Sequence, residues 1–386
     1  MSTQVLECDV DTAPSQVSLR DDVTAVLLLI VRAGRPVKLV RMRRPSDGLL
    51  KLDAELRSTR EADAARAPAV DTPDAGLARV SVVIPTHERP DDLQRCLTSL
   101  ASVRAAGHEV IVVDNSPRTS RTKEVVERFG VRYVLEPVAG ANRARNAGLA
   151  VASREIVAFV DDDVIVSRNW IACVGAAFAN PAVACLTGLV LPFELETAAQ
   201  EAFEVYCQHR RDLGAHLYTR DELPASAAGI VGMGANMAFR REVLLALGGF
   251  DARFGPGTRT RTGDETDMFA RTLDAGWAIV YSPDAYAWHR HRRTWAELRS
   301  CVFGYGVGLY SMLTKRLVEQ RDLGAIVTGG RWLVGPVVKA VRARLVRAAS
   351  PPWSVVLAET AGSAFGPFCF GYEAWRARRA DRAAAR

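Results

Sequence analysis

Between residues 79 and 161, short β-branched apolar runs alternate with segments of helical spacing, and this alternation constrains the fold more than any other feature. The runs are 79–85 (RVSVVIP), 109–114 (EVIVVD), 131–135 (VRYVL) and 156–161 (IVAFVD). A run that is apolar at nearly every position suits a strand buried on both faces. Between the runs, residues 90–106 bring Leu93, Leu97 and Leu100 onto one helical face, and 120–129 and 141–151 read as further helices. Strand and helix in strict turn predict βαβ units and a mostly parallel sheet in an α/β fold. Ligands of such sheets bind beyond the carboxyl ends of the strands. Residues 86–89, 114–116, Glu136 and 161–163 fall there, and each of these four ends carries an acid.

The sharpest of these ends is Asp161-Asp162-Asp163. Adjacent carboxylates repel, and a divalent cation offsets that repulsion. Oxygen ligands select Mg²⁺ or Mn²⁺, which complete their shells with water and substrate phosphates. The rest of the composition excludes competing classes. The 386 residues, 48% of them hydrophobic, can bury a core without disulfides or structural metal. Seven cysteines include no C-x-x-C pair, which argues against a disulfide framework and a zinc cage.

Several segments in fixed order resemble glycosyltransferase family 2, whose catalytic domain has the nucleotide-sugar-binding GT-A fold. They are 81–90 (SVVIPTHERP), 112–116 (VVDNS), 140–148 (GANRARNAG), 159–164 (FVDDDV), 234–240 (GANMAFR), 248–251 (GGFD), 263–271 (GDETDMFAR) and 288–291 (WHRH). The likeness spans about residues 78–313. It implies a nucleotide-diphosphate sugar donor, a hydroxyl acceptor on a glycan, lipid or small molecule, and inversion at the transferred sugar. It implies donor contacts from Pro85, Thr86 and Glu88 beside the base; Glu88 stands where the family often has Asn. Asp114 accepts from the base, and Arg143 and Asn146 face the donor from their helix. Arg145 reads as an exposed helix charge. Asp161 and Asp163 match the two acids of the D-x-D motif, with Asp162 between them on the donor side. Asn236 is the polar contact of a glycine-rich stretch, 229–236, beside the sugar.

The second acidic cluster is Asp264-Glu265-Thr266-Asp267. Inverting transfer needs one base beside the acceptor hydroxyl. By position in the family pattern that base is Glu265, with Asp264 able to serve. These acids also open a helix at 268–275, where the dipole favours them. His289, after a strand at 278–281 and a turn at 282–284, matches the family's histidine and is the expected third metal ligand. On an extended segment His291 points the other way. Residues 195–224, weakly periodic and rich in aromatics, are expected to set acceptor specificity.

The flanks differ from the centre. Apolar runs at 23–31 and 36–42 around a short turn predict a β-hairpin in a module of residues 1–45. Residues 46–77, polar with Pro68 and Pro73, read as a linker with one short helix. The catalytic domain is expected over 78–313, and a basic, apolar helical region over 314–386. From residue 290 onward 17 Lys and Arg face 6 Asp and Glu. Such a tail suits an interfacial helix on anionic lipid, or a helical subdomain packed on the core. No apolar signal segment or spanning run is evident, which predicts a cytoplasmic protein, peripheral on the inner face of the plasma membrane. No nucleic-acid motif appears. The alternatives are a sugar nucleotidyltransferase, whose glycine-rich basic signature Thr86–Pro90 does not fit, and a non-catalytic membrane-binding protein.

Overall fold

The computed structural model describes residues 2–64, 79–206, 212–345 and 352–384. The chain opens with β1 (Thr3–Asp9), β2 (Gln16–Ser18), β3 (Ala25–Arg32), β4 (Arg35–Arg43), β5 (Leu49–Lys51) and α1 (Asp53–Ala64). The expected hairpin is β3–β4, and β1 lies parallel to β3 on its other side. Successive β3 side chains point to opposite faces. Val26, Leu28 and Ile30 join Leu50, Leu52 and Leu56 in a local core, while Leu29 and Val31 enter the core of the main domain. Each of the latter burials stabilises by about 1.5–3 kcal/mol. Within the expected linker, 49–51 pair with β2 and 53–64 form the anticipated helix. Residues 65–77 lie outside the described residues.

The main domain starts with β6 (Val80–Thr86), α2 (Pro90–Ser99), α3 (Ala101–Ala105), β7 (Glu109–Asn115), α4 (Arg121–Phe129), β8 (Arg132–Glu136), α5 (Ala141–Val151) and β9 (Ile156–Val160). It continues through β10 (Val164–Val166), α6 (Trp170–Ala177), β11 (Val183–Pro192), α7 (Ala198–Tyr206), β12 (His216–Tyr218), a 3₁₀ turn (Ala225–Ile230), β13 (Asn236–Arg240), α8 (Arg241–Ala246), α9 (Asp264–Asp274) and β14 (Ala278–His289). The sheet order is β10-β14-β11-β13-β9-β6-β7-β8, with β12 also on β14. Strands β6, β7, β8, β9, β11 and β14 run one way; β10, β12 and β13 run against them. This is the mostly parallel α/β sheet of the expectation. Both faces are covered, which explains the unbroken apolar runs. Val80, Val82 and Ile84 pack with α2, α4 and α6 on one side. Val83, Ile111 and Val113 pack with α5, α9 and the hairpin on the other.

The turn expected at 282–284 is instead the middle of β14. Pairing with β11 slips between Gly188 and Val190, leaving residues 283–286 out of the ladder. Pro283 therefore sits where no ladder N–H is needed.

The tail forms α10 (Trp295–Glu319), α11 (Gly324–Leu345) and α12 (Trp353–Ala384). Helix α10 begins with a capping box between Thr294 and Glu297. It runs through the boundary expected at 313. Lys315 Nζ donates to Asp267 (2.6 Å) and Asp251 (2.8 Å), and Arg316 Nη1 to Asp274 (2.7 Å), so α10 is tied into the main domain.

Candidate active site

A cleft of about 970 Å³ opens at the carboxyl ends of β6 and β9. The first turn of α9 and the tail helices α10–α12 also line it. Its floor is built from Asp161, Asp162 and Asp163, which follow β9 directly. Three arginines converge on this edge. Arg89, one residue before α2, reaches Asp162 (3.2 Å) and Asp163 (3.1 Å). Arg292 lies in the wall beside His289. Arg145 of α5 is buried, paired with Asp264 and 3.6 Å from Asp161.

The three adjacent acids have separate surroundings. Asp162 accepts from Thr86 Oγ1 (2.7 Å), and burial beside Asp163 pushes its carboxyl up to about 7. Burial also raises Asp161, against the pull of Arg145. Burial would raise Asp163 as well, but His289 and Arg89 hold it below the usual carboxylate range. Burial opposes charging of His289, yet Asp163 raises it on balance.

Among the described residues, one ligand atom each from Asp161, Asp163 and His289 lie within 4.8 Å of one another. Asp163 Oδ1 is buried without a hydrogen bond, 3.2 Å from His289 Nε2. A buried carboxylate oxygen with no donor is a cost that a cation removes. Two carboxylates and one imidazole form a donor set that accepts Mg²⁺ or Mn²⁺, so these residues fit such an ion.

In the same cleft, α9 presents Asp264 and Glu265 in its first turn. Both line the cleft; Asp264 is paired with Arg145, and Glu265 lies beside Gly234. Burial and the neighbouring Asp264 charge raise Glu265 well above an ordinary glutamate. A carboxyl so raised holds a proton more readily and suits general-base work near neutrality.

The other expected site residues divide. Pro85 and Thr86 line the cleft. Glu88 instead clamps the next loop, accepting from the N–H groups of Arg118 (2.7 Å) and Thr119 (3.1 Å), which lowers its pKa. Asp114 is wholly buried and accepts from Tyr133 Oη (2.9 Å); burial raises it. Its neighbour Asn115 lines the cleft in its place. Asn146 is a correction: its amide is spent on the backbone of Phe250, donating to the carbonyl and accepting from the N–H, each at 2.8 Å. Asn236 is another, accepting from Trp170 Nε1 (2.9 Å) and donating to Ala285 O (2.7 Å) inside the core. Arg143, expected to face the donor, is exposed and is not among the residues that line the cleft, whereas Arg145, read as an exposed helix charge, is buried. The signal was present: Asn142, Arg145 and Leu149 share the helical spacing of the buried face of α5.

Two further groups were not anticipated. His291 does not point away from His289; the strand ends at His289, and the two Nδ1 atoms lie 3.5 Å apart. Glu359 of α12 and Tyr206 of α7 are hydrogen-bonded at the tail side of the cleft. A sequence pattern has no means of joining residues that far apart. Within 195–224, α7 contributes Val205 and Tyr206 to the wall; residues 207–211 lie outside the described residues.

Residues 81–248 match the family model described as Glycosyl transferase family 2. A pre-mycofactocin glycosyltransferase of Mycobacterium tuberculosis is 29% identical over 289 residues, covering 70% of this chain and 57% of that protein. Glycosyltransferase AglE of Haloferax volcanii is 24% identical over 310 residues, covering 74% of this chain and 95% of that one. Among solved structures, a mannosyltransferase from Pyrobaculum calidifontis in complex with GDP-Man and Mn²⁺ aligns over 86% of this chain and 83% of its own, at 20% identity and a TM-score of 0.46. The chain spans little more than half the length of the first of these relatives. The D-x-D acids at the end of β9 fall within the segment, residues 81–248, that is similar to glycosyltransferase family 2, and the acidic first turn of α9 lines the same cleft.

Proposed function

We propose that this chain transfers a sugar from a nucleotide-diphosphate donor to an acceptor hydroxyl, with metal assistance and inversion at the sugar carbon. The observation that supports it best is the presence of two acidic groups in the lining of one cleft, both reached by Arg145. One is the Asp161, Asp163 and His289 cluster; the other is the raised carboxyl of Glu265. Asp161, Asp163 and His289 would hold Mg²⁺ or Mn²⁺, which supplies charge neutralisation for a diphosphate leaving group. Arg89 and Arg292 line the same edge and orient the diphosphate by charge-assisted hydrogen bonds. Glu265 takes the proton of the acceptor hydroxyl. The acceptor oxygen then forms its bond to the anomeric carbon as the bond to the diphosphate breaks, and the diphosphate leaves with the electron pair. Arg145 engages Asp264, which leaves Glu265 as the proton acceptor. Inversion follows from the family resemblance.

The test is thermal unfolding with nucleoside diphosphates and nucleotide sugars, with and without Mn²⁺. At 100 times its dissociation constant the right nucleotide adds about 2.7 kcal/mol of stability. That gain is expected only with metal, and not in Asp163→Ala. A nucleotide that stabilises both proteins equally without metal overturns the metal-assisted reading.

The acceptor side is formed by the tail. Tyr305, Leu309, Trp332 and Pro336 give it an apolar wall. The outer face of the same helices is also apolar: Ile326 is 60% exposed, Val334 56%, Phe368 77% and Trp375 52%. Arg376, Arg378, Arg379 and Arg382 follow Trp375 on α12. No helix among the described residues is long and apolar enough to cross a membrane. Apolar and aromatic residues bordered by arginines suit an anionic membrane surface, on which the helices lie.

A further inference from the structure

On the reading that Asp161, Asp163 and His289 hold a cation, His289 must present a lone pair at Nε2. An imidazole does so only when its proton sits on Nδ1, and that proton needs an acceptor. Helix α7 and the segment after β14 provide one. His289 Nδ1 lies 3.5 Å from His291 Nδ1. His291 Nε2 lies 2.6 Å from Glu204 Oε1. Both partners are buried, His291 at 5% exposure and Glu204 at 5%. The His291 ring packs on Phe203 with centroids 4.4 Å apart, and Gln200 Nε2 donates to the His291 carbonyl at 3.4 Å. Three residues of α7 thus grip one histidine that no substrate group is asked to touch.

We propose that Glu204 and His291 are positioning residues that set the tautomer and ring angle of His289 for metal binding. The order of donors follows from chemistry. Glu204 accepts the Nε2 proton of His291, which leaves the His291 Nδ1 lone pair facing His289. The Nδ1 proton of His289 points at that lone pair. His289 Nε2 is then bare and aimed at Asp163 Oδ1, 3.2 Å away, the buried oxygen that has no hydrogen bond. Two facing lone pairs repel unless a cation lies near both. Partners of this outer kind change metal affinity by about 10–100-fold when removed.

The test measures Mn²⁺ affinity by the loss of the free-ion electron spin resonance signal, alongside the Tm of the metal-free protein. His291→Phe keeps the contact with Phe203 and removes both nitrogens; Glu204→Leu removes the acceptor. Each is expected to weaken Mn²⁺ binding at least 10-fold with a metal-free Tm close to wild type. Glu204→Gln retains an acceptor oxygen at the same reach and should stay within about threefold of wild type. His291→Asn serves as a second variant if His291→Phe does not fold, with the same loss expected. In ¹⁵N-histidine spectra of the Mg²⁺-loaded protein, His289 should carry its proton on Nδ1, and Glu204→Leu should disturb that signature. His291→Phe or His291→Asn binding Mn²⁺ as tightly as wild type overturns the proposal. Wild type that binds no Mn²⁺ overturns the metal site itself, and the relay with it.

Discussion

On the function proposed above, Glu265 trades stability for chemistry. Its carboxyl is raised by burial and by Asp264, so the folded chain binds that proton more tightly than the unfolded chain does. The sign follows: stability associated with the protonated form is present at low pH and lost as pH rises past the ordinary glutamate range. Glu265→Gln, which cannot ionise, should therefore raise the Tm at pH 8 by roughly 2–4 °C per kcal/mol recovered. At pH 5 that gain should shrink, as calorimetry at the two values will read. The same variant should lose about 10²–10⁴-fold in transfer rate. In wild type, kcat/KM should rise with pH as Glu265 deprotonates. Arg145 behaves differently. Its guanidinium is buried, over the Phe250 ring and between Asp264 and Asp161. Arg145→Leu leaves buried carboxylates unpaired, and denaturant unfolding should show a loss of about 3–5 kcal/mol.

Among the elements, α10 and α12 show how composition sets the distance between helices. A Cβ on Gly362 would lie 2.1 Å from Phe303 O, and one on Gly306 2.2 Å from Glu359 O. The helices touch backbone to backbone, and only hydrogen fits between them. This close seam places Tyr305, Leu309 and Glu359 in the cleft wall. Gly362→Ala should force the helices apart at a cost of about 1–3 kcal/mol. It should also impair acceptor use more than donor binding, read as a rise in acceptor KM with an unchanged nucleotide Kd. Strand β14 makes a related point. Its slip at residues 283–286 lets Asn236 donate to Ala285 O, so a residue expected beside the donor acts instead as a brace for the irregular strand.

For the whole molecule, the cleft is a joint construction. The acids come from the sheet and α9, and the roof comes from a tail that is apolar on both its inner and outer faces. A helix apolar all round is normally covered. Co-sedimentation should show the chain bound to vesicles containing phosphatidylglycerol and weakly bound to phosphatidylcholine alone. Phe368→Ser with Trp375→Ser should lower that binding about 10-fold or more while metal-dependent nucleotide stabilisation persists. Equal binding by the double variant would remove α12 from the membrane face.

The strand–helix alternation, the strand ends that carry the acids and the β3–β4 hairpin were legible in the order of the residues. These rest on local periodicity, which a linear pattern records. Asp161, Asp163, Glu265 and His289 were legible there too, since each lies within a short motif. Which polar side chains reach the cleft depends on long-range packing. Asn146, Asn236 and Glu88 are drawn off to satisfy backbone groups of segments distant in sequence, whereas Arg145 is drawn into the cleft and His291 is drawn beside His289. The reason is physical: a buried amide or carboxylate takes whichever partner the fold brings within about 3 Å, and that partner can lie a hundred residues away.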